Sequence, residues 1–216
     1  MISVKPFIYN TRDELMSNCY VVFDAHKRCM IIDPSCNYDG VVNYVKENKL
    51  KPVAILLTHS HYDHIKGVDR IVKAFNIPVY IHEDDYDGLY EPKYNFSYMD
   101  DMNVILSSKA NKVRDFDTIK GLEEDVLVMH TPFHSAGSVC YYLSNNKLLF
   151  SGDSLFYRSI GRNDFETSVP GKTRDSLKKI MSLPDDVKVY PGHGIETNIG
   201  DERNKNPFVN RIDLIY

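Results

Sequence analysis

The chain has 216 residues, 43% hydrophobic and 26% charged, values of a globular protein that exclude wholesale disorder, a collagen repeat and a coiled coil. One compact domain over residues 1–216 is expected at this length. The 26 basic and 30 acidic residues leave a net charge of −4 and gather on no basic face, so no nucleic-acid partner is expected.

The N-terminal stretch MISVKPFIYNTRDE carries a charge inside its apolar run and lacks the apolar core of a signal peptide, and the purest apolar run, Val53 to Leu57, is too short to span a bilayer. No membrane partner is expected. Strands are predicted at Val4 to Tyr9, Cys19 to Asp24 and Cys29 to Ile32, with His26-Lys27 at a hairpin tip and Asp33-Pro34 as the stop. Val41, Val42, Val45 and Leu50 lie at helical spacing and predict a helix over Asp39 to Lys49, closed by Lys51-Pro52 before a buried strand at Val53 to Leu57. Ile65, Val68, Ile71, Val72 and Phe75 predict a second helix, Ile65 to Phe75, followed by a short strand at Val79 to Ile81.

Residues Asp84 to Asn111 are polar and tyrosine-rich, and read as a helix followed by a long loop whose stretch Tyr86 to Tyr98 closes over substrate. Strands resume at Val126 to His130, Val139 to Leu143 and Leu148 to Ser151. An irregular stretch runs to Pro170, then a helix at Thr173 to Ser182 and a last strand at Val187 to Tyr190. Sheets covered by helices are the expected architecture. The four cysteines, Cys19, Cys29, Cys36 and Cys140, are too few for a disulfide scaffold and form no CxxC pair, which suits a reduced cytoplasm.

Three of the 8 histidines fall in Thr58-His59-Ser60-His61-Tyr62-Asp63-His64, directly after an apolar strand. In extended backbone His59 and His61 project to one side, so two imidazoles can meet one metal ion. Asp63 and His64 follow where the chain turns into a helix, and can face a second point nearby; neutral imidazole and carboxylate are the ligands that zinc, iron and similar ions take. His134 in TPFHSAGS, Asp153 in SGDS and His193 in YPGHG stand at three further strand ends. Four strand ends delivering ligand-type residues to one rim suit a metal site on a rigid scaffold.

THSHYDH, TPFHSAGS, SGDSLF and YPGHG, in this order and spacing, resemble the metallo-β-lactamase superfamily, most of all its glyoxalase II (hydroxyacylglutathione hydrolase) branch. Asn18-Cys19-Tyr20, Ile31-Ile32-Asp33-Pro34, Ser159-Ile160-Gly161-Arg162 and the stretch from Asp201-Glu202-Arg203 to Asn206-Pro207-Phe208 extend the resemblance over essentially the whole chain. It implies an α/β fold, a four-layer αββα sandwich with a metal site at the sheet edge. Carried over by position, His59, His61 and His134 would hold one divalent ion, Asp63, His64 and His193 a second, and Asp153 would bridge them. The resemblance implies zinc, with iron or manganese as the alternatives. Two cations sharing a water would bring its pKa toward about 7 and supply a hydroxide nucleophile for an ester or thioester carbonyl. Asp63 would orient it and is the catalytic candidate.

The substrate implied is a small thioester such as an S-acylglutathione. Arg162 matches a basic position that holds glutathione in the branch, and is read either as a substrate-carboxylate contact or as an ion pair with Asp164; Arg158 is the second substrate-binding candidate. The branch's two tyrosine positions are Asp164 and Ile195 here, and its C-terminal helical domain is not expected. Phe133 replaces a glycine common before the third ligand, which predicts a more apolar pocket. RSIGRNDF, Arg158 to Phe165, also resembles the persulfide dioxygenases, in which one iron would sit on His59, His134 and Asp153; Gly192 and Gly194 around His193 favour the hydrolase. Asp33 is expected to accept a hydrogen bond from a ligand histidine or merely to end a turn. His130 and Cys140 are expected in the core, and His26 and His82 on surface loops.

Overall fold

The computed structural model describes residues 1–8, 16–35 and 38–214. Tyr9 and Cys36 lie outside the described residues. Two six-stranded sheets form the centre. The first runs in chain order: β1 (Ser3–Phe7), β2 (Cys19–Phe23), β3 (Arg28–Ile32), β4 (Lys51–Leu56), β5 (Val79–His82) and β6 (Ala110–Val113). The second contains β7 (Thr118–Ile119), β8 (Val126–His130), β9 (Val139–Leu143), β10 (Leu148–Gly152), β11 (Lys188–Pro191) and β12 (Thr197–Asn198), with each strand beside its chain neighbour.

β2 and β3 pair antiparallel through the expected hairpin, in which Lys27 takes φ +65° and the Asp24 carboxylate accepts from the His26 and Arg28 amides. From β3 to β6 the pairing is parallel, so the chain must return over the sheet between strands. The first two returns are α1 (Tyr38–Glu47), and α2 (Tyr62–Ile65) with α3 (Val68–Phe75). Period-two alternation sorts the side chains into layers. Tyr20, Val22, Met30, Ile32, Ala54 and Leu56 meet Val126, Val128, Val139, Tyr141 and Phe150 between the sheets. Their neighbours Cys19, Val21, Cys29, Ile31 and Ile55 pack outward on Val41, Val45, Val68 and Ile71. On the far side Met129, Cys140, Leu149 and Val189 pack on Ile180 of α5 (Thr173–Met181) and Ile199 of α6 (Ile199–Lys205). The result is a four-layer αββα sandwich in which each fully buried aliphatic side chain contributes about 1.5–3 kcal/mol. Cys140 lies in this core, where burial pushes its thiol up to about 11.

Local departures from the expected elements have local causes. The predicted helix from Ile65 to Phe75 breaks after α2 because the Gly67 amide donates to the Pro34 carbonyl at 2.7 Å; a Cβ there would stand 2.6 Å from the same oxygen. The stretch predicted as helix and loop is instead 3-10 turns at Glu83–Leu89 and Ser97–Asp100 around α4 (Pro92–Asn95), followed by β6. Fully buried Asn95 organises it by donating to the Gly88 and Val104 carbonyls. His82 is buried, not on a surface loop: it ends β5, and its ring stacks at 3.8 Å on half-buried His130 at the end of β8. β6, β7, β12 and α6 carry no apolar periodicity, although Asn198, whose side chain accepts from the Asp201 amide, is a readable start for α6. Among the described residues no helix is long and apolar enough to cross a membrane.

Candidate metal centre

Asp33 follows β3, Thr58 to His64 follow β4, His134 follows β8, Asp153 follows β10 and His193 follows β11, and all of them meet at one rim. The turn after β4 is fastened at both ends. At one end Asp33, held at φ +47°, accepts from the Thr58 amide (2.8 Å), the Thr58 hydroxyl (2.7 Å) and His64 Nδ1 (3.0 Å). Of the two readings of Asp33, the structure shows the hydrogen bond to a ligand-type histidine. At the other end buried Asp85 accepts from the Ser60 amide (2.9 Å), the Ser135 hydroxyl (2.8 Å) and the Gly137 amide (2.7 Å), tying the His59–His61 turn to the His134 loop. Asn18 and Tyr20 hold the His193 loop by donating to the Pro191 carbonyl, and Asn18 also donates to that of Gly194.

The side chains form two triads joined by a carboxylate. Donor atoms of His59, His61 and His134 lie within 4.8 Å of one another, as do those of Asp63, His64 and His193. Asp153 stands between them, with Oδ2 3.3 Å from His134 Nε2 and 3.6 Å from His193 Nε2, and Oδ1 3.4 Å from His64 Nε2. One face of several rings is already committed: His59 Nδ1 is 3.1 Å from the Thr58 hydroxyl, His64 Nδ1 donates to Asp33, and His134 Nδ1 donates to the Arg162 carbonyl at 2.7 Å. Among the described residues, His59 Nε2, His61 Nε2, His64 Nε2 and Asp153 Oδ1 are buried and have no hydrogen-bond partner. Each such orphan costs about 1–3 kcal/mol, a cost that cation coordination removes. Imidazole and carboxylate donors, anchored from behind, suit a divalent ion.

Electrostatics agree with the donor set. Burial, reinforced by the neighbouring imidazoles, pushes His59 well below the ordinary histidine range and His61 to about 3, so both keep their lone pairs at neutral pH. Burial also opposes ionisation of Asp63 and Asp153, yet His64 and His193 outweigh it and hold both carboxyl groups low. The same carboxylates raise His64 and His193 against the effect of burial. The point between the triads therefore attracts positive charge.

Two predictions follow from this packing. Asp33→Asn is expected to weaken metal binding about 10–100-fold, read by competition with a chelator, because the carboxylate that orients His64 is gone. Gly192→Ala would place a Cβ 2.2 Å from Asp153 Oδ1 and 2.8 Å from His64 Cε1. It is expected to weaken binding about tenfold or more while the far-ultraviolet circular dichroism stays unchanged.

The two arginines part company. Arg162 lies at the rim, where its guanidinium is bound bidentately by Asp164 (2.6 and 2.9 Å) and covers the Phe165 ring at 4.3 Å. Arg158, the second substrate-binding candidate, donates to fully buried Glu202 at 2.6 Å and to the Asp201 carbonyl at 3.1 Å. Phe133 is fully buried and is not among the residues lining the cavity beside His61, whose apolar wall comes from elsewhere. Phe96 packs on His61 with ring centroids 5.0 Å apart, and Phe165 packs on His61 (5.2 Å) and His134 (5.6 Å). Phe96 belongs to the stretch expected to close over substrate. Asp85, Phe96 and Phe165 were not legible from spacing, since each reaches the site from a different loop.

The family model described as Metallo-beta-lactamase superfamily matches residues 12–193. The chain is 34% identical over 206 residues to the probable metallo-hydrolase YqgX of Bacillus subtilis (strain 168), covering 93% of this chain and 95% of that protein. It is 29% identical to the hydroxyacylglutathione hydrolase GloC of Haemophilus influenzae, covering 89% and 92%. Among solved structures, BLEG-1 B3 metallo-beta-lactamase superposes with a TM-score of 0.89 at 34% identity, covering 96% of this chain and 99% of that one. TTHA1623 in a di-iron-bound form gives a TM-score of 0.83 at 33% identity, covering 94% and 99%.

Proposed function

The chain belongs to the metallo-beta-lactamase superfamily, and from that premise we propose that it is a dinuclear metal-dependent hydrolase of small thioesters of the S-acylglutathione kind. The observation that carries this reading is the set of buried, unpartnered donor atoms on His59, His61, His64 and Asp153, arranged as two triads with Asp153 between them. His59, His61 and His134 would hold one ion, Asp63, His64 and His193 the other, and Asp153 would face both. Zinc and iron suit these donors, and the relative TTHA1623 is described in a di-iron-bound form. Bound there, the ions would supply Lewis acidity and bring the pKa of water toward about 7.

The chain's own residues supply the rest. Asp63 Oδ2 is 3.1 Å from His193 Nε2, and Asp63 would accept a proton from the attacking water and orient it. Phe96 and Phe165 cover His61 and limit water on that side. Arg162 lines the cavity beside the centre and would be the substrate-facing cation, with Asp164 already in its fork. The relationship to GloC supports the thioester class. A complete second triad favours this reading over a mononuclear iron persulfide dioxygenase, which needs only His59, His134 and Asp153. The enzyme is proposed to work in the cytoplasm on a small molecule, with neither nucleic acid nor membrane as partner.

The test is metal content per chain alongside hydrolysis of S-lactoylglutathione. Two ions with thioester turnover are expected. A single iron, with oxygen consumed on glutathione persulfide and no thioester turnover, would overturn the proposal, as would turnover of a penicillin alone.

A further inference from the structure

Beside the metal centre lies a cavity of about 210 Å³, lined by His61, Asp63, Phe96, Met99, Arg162 and Phe165 among others. Apart from His61, a donor of the candidate metal centre, its charged and hydroxyl groups are engaged with one another or with neighbours. Arg162 is neutralised by both oxygens of Asp164 and lies flat on Phe165. The Tyr62 hydroxyl donates to the Asp100 carboxylate, and Asp63 faces His193. What remains open is aromatic and thioether surface: the Phe96 and Phe165 rings, 4.9 Å apart, and the 64%-exposed Met99 side chain. Phe96 is fixed there at φ +63°, directly after Asn95, which is clamped to Gly88 and Val104.

Resting on the hydrolase reading, we infer that this cavity receives the acyl half of the thioester and selects a small apolar acyl group, branched or aromatic, up to the size of a benzyl group. Size assigns the half. At about 30 Å³ per water the space equals about seven waters, and an apolar cavity of about 150 Å³ is enough for benzene; a tripeptide thiol does not fit and must extend outside. Chemistry assigns the apolar character. A carboxylate on the acyl group would exchange water for an arginine whose charge Asp164 already balances and would meet the Asp63 and Asp100 carboxylates as like charges. A hydroxyl would at best exchange one acceptor for another, whereas an apolar group gains burial against the Phe96 and Phe165 rings. The Arg162–Asp164 pair thus acts as a neutral wall, and Phe165 and Phe96 are the specificity-determining side chains.

The experiment compares phenylacetyl, butyryl, lactoyl and succinyl thioesters of N-acetylcysteamine on the metal-loaded protein, with metal content measured for every variant. Phenylacetyl is expected to exceed lactoyl in kcat/KM by about tenfold or more, the discrimination a hydrophobic pocket gives for a few carbons. Phe165→Ala is expected to erase most of that ratio. Asp164→Asn, a change on an exposed side chain, frees Arg162 and is expected to raise succinyl relative to butyryl turnover about tenfold, through a charge-assisted contact. A lactoyl rate equal to or above phenylacetyl, or a ratio unmoved by Phe165→Ala at full metal content, overturns the inference while leaving the hydrolase reading intact. If no thioester is turned over, the hydrolase reading fails, and titration of phenylacetate against lactate, followed by the NMR signals of the phenylalanine rings, still decides the pocket. Preferential binding of phenylacetate supports the inference, and equal or absent binding overturns it.

Discussion

Asp153→Ala is expected to lower thioester hydrolysis about 10³-fold and to leave the purified protein with one metal ion or none. The carboxylate stands 3.3–3.6 Å from donor nitrogens of His64, His134 and His193, so it belongs to both triads at once. On the proposed reading, removing it would take a carboxylate from each position together with negative charge that would offset the two ions. The rate loss corresponds to about 4 kcal/mol at about 1.36 kcal/mol per decade, within the several kcal/mol that metal ions provide to a charged transition state. Metal analysis and initial rates on one preparation make the check. A variant that keeps two ions and near-normal rates would refute the bridging role.

Glu202→Ala is expected to destabilise the fold by about 3–5 kcal/mol, the effect of breaking a buried ion pair from one side. Glu202 is fully buried and accepts four hydrogen bonds, from the Arg158 amide (2.8 Å) and Nη1 (2.6 Å), the Thr197 hydroxyl (2.6 Å) and Asn206 Nδ2 (2.9 Å). Alanine leaves the Arg158 amide and the Thr197 hydroxyl unsatisfied and takes from Arg158 its buried counterion, leaving only the longer contact to the Asp201 carboxylate at 3.8 Å. For a chain of this size the loss corresponds to roughly 10 °C in Tm, read by thermal or urea unfolding. Arg158→Ala is expected to fall in the same direction and to leave KM unchanged, whereas a substrate contact would raise KM with little effect on unfolding. Aligned with the Asp201-Glu202-Arg203 to Asn206 stretch, this network gives that motif a role in holding the loop after Asp153 to the C-terminal helix.

The same contrast separates what was legible from what was not. The long strands were readable because apolar alternation and runs are local: β2, β3, β4, β8, β9, β10 and β11 all fall where periodicity puts them, within a residue or two. β6, β7 and β12 were missed because they are short edge strands, two to four residues long, and polar toward solvent. His82 was misread because nothing in its neighbourhood announces a stacking partner 48 positions away.

The chain by itself determined the donor types and their placement at strand ends, the presence of sheets covered by helices, and the hairpin at His26-Lys27. These are consequences of residue chemistry and of periods of two and 3.6, which act over a few neighbours. Tertiary structure alone decided that Asp33 holds His64, that Asp85 fastens two ligand loops together, that Arg158 turns to Glu202, and that Phe96 and Phe165 line the cavity while Phe133 does not. Each of these contacts joins side chains from separate loops, and which loops meet depends on sheet register and on the path of each return over the sheet, quantities that no local pattern encodes.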